Sequence, residues 1–203
     1  MDIISERYQT LCKTPLDINE HLPTLCFYAS QCESVIELGV RGCISSWALA
    51  YGLLQNKQSR KKILLNDIQA CEIGHFLQAT SQTDLVVEYQ WKNDLDIVVN
   101  ENCDMTFIDT WHVYPQLKAE LNKFSKITNK YIAMHDTVVD AIHGETIRNG
   151  WNADQQAIVS GFSAADIRCG LQRAIDEFLA ENKDWVLHEH FTNNHGLTIL
   201  KKI

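Results

Sequence analysis

The chain lacks any run of about 20 apolar residues, the length that a membrane-spanning helix needs. Its first residues, Met1-Asp2-Ile3-Ile4-Ser5-Glu6, do not read as a signal peptide. It also lacks C-x-x-C. The seven cysteines are odd in number and scattered, which argues against a disulfide framework or a zinc knuckle and fits a reducing cytoplasm. Cys43, Cys71 and Cys103 lie in or beside apolar patterns and read as small core residues. Positive charge is in short supply. With 18 Lys and Arg against 26 Asp and Glu, the formal net charge is −8, which argues against a nucleic-acid partner. The one compact basic run, Arg60-Lys61-Lys62, reads as solvated surface. There is no internal repeat and no low-complexity tract. What is present is 203 residues, 45% of them apolar: enough for one well-packed domain spanning 1–203, too few for two.

Short apolar runs alternate with helical patterns. Strands are predicted at Val35–Gly39, Ile63–Asp67, Asp84–Tyr89, Met105–Asp109 and Tyr131–Asp136. Between the last two, Tyr114, Leu117, Leu121 and Phe124 share one helical stripe, with Pro115 in the first turn. A second helix is predicted over Asp166–Glu181, N-capped by Ser163. Trp185–Phe191 and Leu197–Lys201 are strands joined by five residues, a link that permits an antiparallel hairpin and no crossover helix. The expected fold is therefore α/β, a doubly wound, mostly parallel seven-stranded sheet of Rossmann-like type closed by a C-terminal antiparallel hairpin. Residues 1–33 form a helical cap before the first strand. Residues 137–165 are a polar stretch after a strand end, expected to be a lid or acceptor-binding insertion.

The carboxyl ends of the strands collect the chemistry. Val35-Ile36-Glu37-Leu38-Gly39-Val40-Arg41-Gly42-Cys43-Ile44-Ser45 is strand, glycine turn and helix start, a ligand cradle. A carboxylate at Glu37 would repel a pyrophosphate and attract an ammonium or sulfonium, so the cradle favours S-adenosylmethionine over NAD. Gly39, Arg41, Gly42 and Ser45 are the remaining candidates on this turn. Asp67, ending the second strand, is placed to accept from the ribose hydroxyls. The polar side chains after the third strand, Asn93 and Asp94 among them, would meet the adenine amino group, with Trp91 over the ring. The fourth strand ends in Asp109-Thr110-Trp111-His112 and the fifth in His135-Asp136. Carboxylates on neighbouring strand ends repel unless they share a proton or a cation, and oxygen ligands suit Mg²⁺, Mn²⁺ or Ca²⁺ better than zinc. His112 is then placed as general base, with Asp109 and His135 completing the catalytic candidates. Each of these residues also has a plain structural reading, as a helix cap or as a satisfied core pair.

With these residues in view, the chain resembles class I S-adenosylmethionine-dependent methyltransferases. More narrowly, it is similar to metal-dependent sugar and macrolide O-methyltransferases and cephalosporin hydroxylase-like proteins. The resemblance runs from Asp17-Ile18-Asn19-Glu20-His21-Leu22, through the Glu37 to Gly42 turn and Asp109-Thr110-Trp111-His112-Val113-Tyr114, to Met134-His135-Asp136-Thr137 and Asn193-Asn194-His195-Gly196-Leu197-Thr198. It implies methyl transfer from S-adenosylmethionine to a hydroxyl of a small-molecule acceptor, a sugar being one candidate. It further implies Asp109 and Asp136 as ligands of Mg²⁺ and His112 as the base. Two departures stand out: Cys43 occupies the place of the usual third glycine, and Thr137 follows Asp136 where related catechol-type enzymes carry Asn or Asp. The rival readings are an NAD-dependent oxidoreductase on a similar sheet and a non-catalytic adenosylmethionine-binding protein. Self-association is left open.

Overall fold

The computed structural model describes residues 3–57 and 60–203. Its element order is α1 (Ile3–Lys13), α2 (Leu22–Ala29), β1 (Ser34–Leu38), α3 (Ile44–Gln55), β2 (Lys62–Asp67), α4 (Gly74–Thr80), β3 (Val86–Trp91), β4 (Cys103–Ile108), α5 (Tyr114–Phe124), β5 (Thr128–His135), α6 (Glu145–Arg148), α7 (Ala153–Ser160), α8 (Ala164–Ile167), α9 (Leu171–Glu181), β6 (Trp185–Phe191) and β7 (Leu197–Lys202). The strands form one seven-stranded sheet in the order β3-β2-β1-β4-β5-β7-β6. β1 to β5 pair in parallel, and β7 runs antiparallel to both β5 and β6. The expected doubly wound sheet with its terminal hairpin is what forms, and strand limits differ from expectation by no more than three residues.

Alternation along each central strand divides the core in two. Val35, Ile63, Leu65, Met105, Phe107 and Ala133 face the layer of α1 to α4. Ile36, Leu38, Leu64, Ile108, Ile132 and Met134 face α5 and α9. Both faces being covered explains why these strands read as near-continuous apolar runs. The described residues before β1 carry α1 and α2, linked through a short 3₁₀ turn at Asn19–His21.

The helix expected over Asp166–Glu181 is two helices, α8 and α9. Ser163 caps the first as predicted, its Oγ accepting from Asp166 N at 3.0 Å. The break at Arg168–Gly170 has a tertiary cause: Gly170 N donates to Ile142 O (2.8 Å) and Leu171 N to Asp140 O (2.9 Å), so backbone groups that would continue the helix are spent on the segment after β5. A Cβ on Gly170 would lie 2.3 Å from Asp140 O. The polar stretch 137–165 carries α6 and α7, and α6 brings Glu145 to within 3.9 Å of His112 and Arg148 to within 2.7 Å of Asp140. Among the described residues, no helix is long and apolar enough to cross a membrane.

Candidate active site

The β1–α3 turn is held from two sides. Gly39 (φ +87°) lies against the backbone of Asp109, and a Cβ there would sit 1.9 Å from Asp109 O. From the other side, Asp67 Oδ2 accepts from Val40 N (3.0 Å) and Arg41 N (2.9 Å), while its Oδ1 accepts from Gln69 N (2.8 Å). Arg41 and Cys43 take φ values of 43° and 58°, a left-handed conformation costly for residues with a Cβ. Cys43 thus adopts the conformation that a glycine would have taken there without strain. Arg41 points outward to Asp17 (3.1 Å).

Three cofactor candidates sit differently from expectation. Glu37 is fully buried, its Oε1 bonded to Ser45 Oγ and its Oε2 without a partner among the described residues. Burial pushes its carboxyl up to about 8, so it is mostly a neutral acid at neutral pH, and the sulfonium attraction argued from its charge is correspondingly weak. Ser45 is buried with it and supports the turn from beneath. Asp94 also turns inward, its carboxylate accepting from Gln116 Nε2 at 3.1 and 3.3 Å. Asn93 caps the 3₁₀ turn at 94–96 through Leu95 N (2.9 Å), and Trp91 lies exposed with Nε1 donating to Ile68 O.

At the ends of β4 and β5 the expected acids and imidazoles converge. His112 lies between Asp109 and Asp136: Nε2 is 3.1 Å from Asp109 Oδ1, and Nδ1 is 3.0 Å from Asp136 Oδ2. His135 Nδ1 reaches the same two carboxylates from behind, at 3.5 and 3.6 Å, and its Nε2 meets Asn194 O at 3.2 Å. The repulsion foreseen between the two aspartates is therefore relieved by imidazole rings. Burial alone would lower the pKa of His112, but the bond to Asp109, the Asp140 carboxylate close to Nδ1 and the charges of Asp109 and Asp136 raise it well above its ordinary value. Burial is outweighed in the same way at His135, which Asp109 and Asp136 lift to about 10. Reciprocally, Asp109 and Asp136 are held below the usual carboxylate range despite their burial.

Sequence reading names neither Asp140 nor His195 as a site residue, and gives Glu145 and Arg148 of the 137–165 stretch only as residues that could reach substrate. Asp140, fully buried, forms a two-pronged pair with Arg148 (2.7 and 2.8 Å) and lies 3.4 Å from His112 Nδ1. Glu145 Oε2 is 3.9 Å from the same nitrogen. His195 Nδ1 bonds Asp136 Oδ1 at 2.9 Å, from a turn in which Asn194, His195 and Gly196 all have positive φ. No periodic pattern marks residues in such loops; the only signal was the Asn193-Asn194-His195-Gly196 stretch within the resemblance. Thr137 points away, its Oγ1 accepting from Thr198 Oγ1 (2.9 Å).

The donors suit a divalent cation. One atom each from Asp109, His112 and Asp136 lie within 4.8 Å of one another. His112 Nδ1, though close to Asp136, makes no hydrogen bond with a described residue. The oxygens of Asp109 and Asp136 fit Mn²⁺ or Mg²⁺, with the His112 imidazole beside them.

No protein-family model and no curated protein matches the sequence. Solved structures do. An O-methyltransferase from Bacillus cereus in complex with S-adenosylhomocysteine superposes with a TM-score of 0.63 at 17% identity, covering 98% of this chain and 90% of that one. The O-methyltransferase TomG from Streptomyces achromogenes, in complex with S-adenosylmethionine, gives 0.61 at 13% identity over 98% and 88%. The N-methyltransferase NodS from Bradyrhizobium japonicum gives 0.57 at 13% over 98% and 95%. The chain has the class I methyltransferase fold. Its neighbours methylate oxygen in some cases and nitrogen in others, so the acceptor atom must be argued from the site itself.

Proposed function

We propose that the protein is an S-adenosylmethionine-dependent O-methyltransferase acting on a hydroxyl of a small molecule, a sugar being one candidate, with help from a divalent cation. The observation that carries this reading is the Asp109–His112–Asp136 cluster at the ends of β4 and β5, next to the glycine turn whose Gly39 packs on Asp109. In a sheet of this order, ligands lie outside the carboxyl ends of the strands. The cofactor then rests on the Gly39–Ser45 turn, with Asp67 at its ribose and the Asn93 loop at its adenine.

In the reaction the acceptor oxygen attacks the sulfonium methyl, an O–C bond forms, the C–S bond breaks, and the hydroxyl proton leaves. Asp109 and Asp136 would hold a divalent cation, which would supply Lewis-acid stabilisation of the charge developing on the acceptor oxygen. His112, once neutral, would take the hydroxyl proton. Asp109 and His135 hold its surroundings, and the strand ends supply the rigid positioning on which methyl transfer depends. Trp111, next to His112 in the chain, and the half-exposed Trp151 of the 137–165 stretch are candidate platforms for a sugar face. We further propose that residues 137–165 form the lid, since α6 already brings Glu145 and Arg148 to the cluster.

The test is calorimetry with S-adenosylhomocysteine and with NADH, followed by an assay of S-adenosylhomocysteine release with hydroxylated acceptors and Mn²⁺ or Mg²⁺. Binding of the first nucleoside alone, with metal-dependent release, is the expected result. Binding of NADH alone overturns the reading.

A further inference from the structure

We propose that Glu120 of α5 is a positioning residue for the methyl transfer proposed above, on which this inference rests: from inside the fold it anchors the loop carrying Asp109 and His112 and joins it, through Gln116, to the loop at 93–97.

Glu120 is a fully buried acid in an apolar layer. It lies one helical turn from Leu117 and beside Leu121, two residues packed among Ile108, Met134 and Leu171. Placing a carboxyl there is costly, and burial pushes it well above the carboxylate range, so it sits as a neutral acid. One of its oxygens is bonded and the other, Oε2, has no hydrogen-bond partner among the described residues. Oε1 accepts from Thr110 Oγ1 (2.5 Å), the residue between Asp109 and Trp111, and from Gln116 Nε2 (2.8 Å). The same Gln116 amide nitrogen donates to Asp94 Oδ1 at 3.1 Å. One amide group thus bridges two carboxyls, one beneath each loop.

A second observation shows α5 gripping the 93–97 loop independently. Lys123, one helical turn beyond, donates through Nζ to the carbonyls of Asp94 (2.7 Å), Leu95 (2.8 Å) and Ile97 (2.8 Å). The helix therefore holds both loops by side-chain hydrogen bonds.

The catalytic loop needs such an anchor. Asp109 itself is fixed from the β1 side, by Asp109 N donating to Leu38 O (2.8 Å) and by the Gly39 contact. Past it, the chain leaves the sheet for four residues before α5 begins at Tyr114. Thr110 is the first of these. Thr110, Trp111, His112, Glu120 and His135 line a small, partly open pocket of about 10 Å³. Because Thr110, Trp111 and His112 are consecutive in this short link, a displaced Thr110 would carry the other two with it. Misplacement by about 1 Å costs on the order of 10²-fold in rate.

The experiment compares Glu120→Gln, Glu120→Leu, Thr110→Val and the Leu/Val double variant. The conservative Gln retains an oxygen for Thr110, whereas Leu and Val each delete the bond while keeping the volume. Expected are near-normal turnover for Glu120→Gln and a fall of about 10- to 100-fold in kcat for each deletion. The double variant should be no worse than the poorer single one, because both remove the same link. Calorimetric affinity for S-adenosylhomocysteine should stay within about twofold. The ¹⁵N indole resonance of Trp111, assigned with Trp111→Phe, should move in both deletions and stay in place in Glu120→Gln. Unchanged kcat and an unmoved Trp111 resonance in the deletions, with only a lower melting temperature, overturn the proposal. So do losses that multiply in the double variant. If Glu120→Leu does not fold, Thr110→Val decides, since it removes one hydroxyl at constant shape. Failure of the wild type to transfer methyl overturns the functional reading instead, and the Trp111 resonance still reports whether Glu120 holds the loop.

Discussion

Gly39 lies so close to Asp109 that a Cβ on the first would come within 1.9 Å of the carbonyl oxygen of the second. The turn that would cradle a cofactor and the strand end that carries the acid cluster are thereby built as one unit. Gly39→Ala should combine left-handed strain with a backbone clash, costing about 2–4 kcal/mol. A lowered denaturant midpoint at constant m-value is the expected result, together with loss of S-adenosylhomocysteine affinity.

Asp67 is expected to serve twice, tying down Val40 N and Arg41 N and meeting the ribose. Asp67→Ala should therefore weaken S-adenosylhomocysteine binding by at least the roughly 1.5–3 kcal/mol of a charge-assisted bond, about 10- to 100-fold in Kd. Isothermal titration of the two proteins makes the comparison; equal affinities would remove Asp67 from the cofactor site.

Metal affinity should reside in Asp109 and Asp136. Titration with Mn²⁺ followed by electron paramagnetic resonance should show one site in the wild type, weakened at least tenfold by Asp109→Asn or Asp136→Asn. Activity should fall in chelator and return with Mn²⁺ or Mg²⁺. Full activity in chelator would leave the imidazoles as the only counter-charges.

Glu37 makes stability depend on pH in a defined direction. Its carboxyl titrates near 4.5 when exposed and at about 8 in the fold, so the folded state binds the extra proton between those values. Its contribution to stability is largest below about pH 4.5, declines as pH rises, and levels off above about 8. The total lost is on the order of a few kcal/mol. Glu37→Gln should remove that component of the slope, as read from urea midpoints at a series of pH values.

Arg148 is the counter-ion of the fully buried Asp140. Arg148→Met should leave that carboxylate unpaired except for His112 and cost about 2–4 kcal/mol, less than for a wholly buried pair because Arg148 is partly exposed. Adding Asp140→Asn should recover most of the loss. Thermal unfolding of the single and double variants supplies the check.

What the sequence determined by itself follows from local and periodic physics. Continuous apolar runs identify strands buried on both faces, the Tyr114 to Phe124 stripe identifies α5, and a five-residue link before Leu197 forces a hairpin. Strand ends then identify Gly39, Asp67, Asp109, His112, His135 and Asp136 as neighbours, because parallel strands deliver their carboxyl ends to one edge. Tertiary structure decided the rest. The break between α8 and α9 comes from hydrogen bonds to Ile142 and Asp140, which no helical pattern encodes. The inward turn of Glu37 and Asp94 depends on partners eight and 22 residues away, Ser45 and Gln116. Asp140, Arg148 and His195 join the cluster only because the segment after β5 and the β6–β7 turn fold back onto Asp136 and His112. Side-chain direction and the ionisation that burial imposes are properties of the packed interior, and they exist only once the chain has closed around these groups.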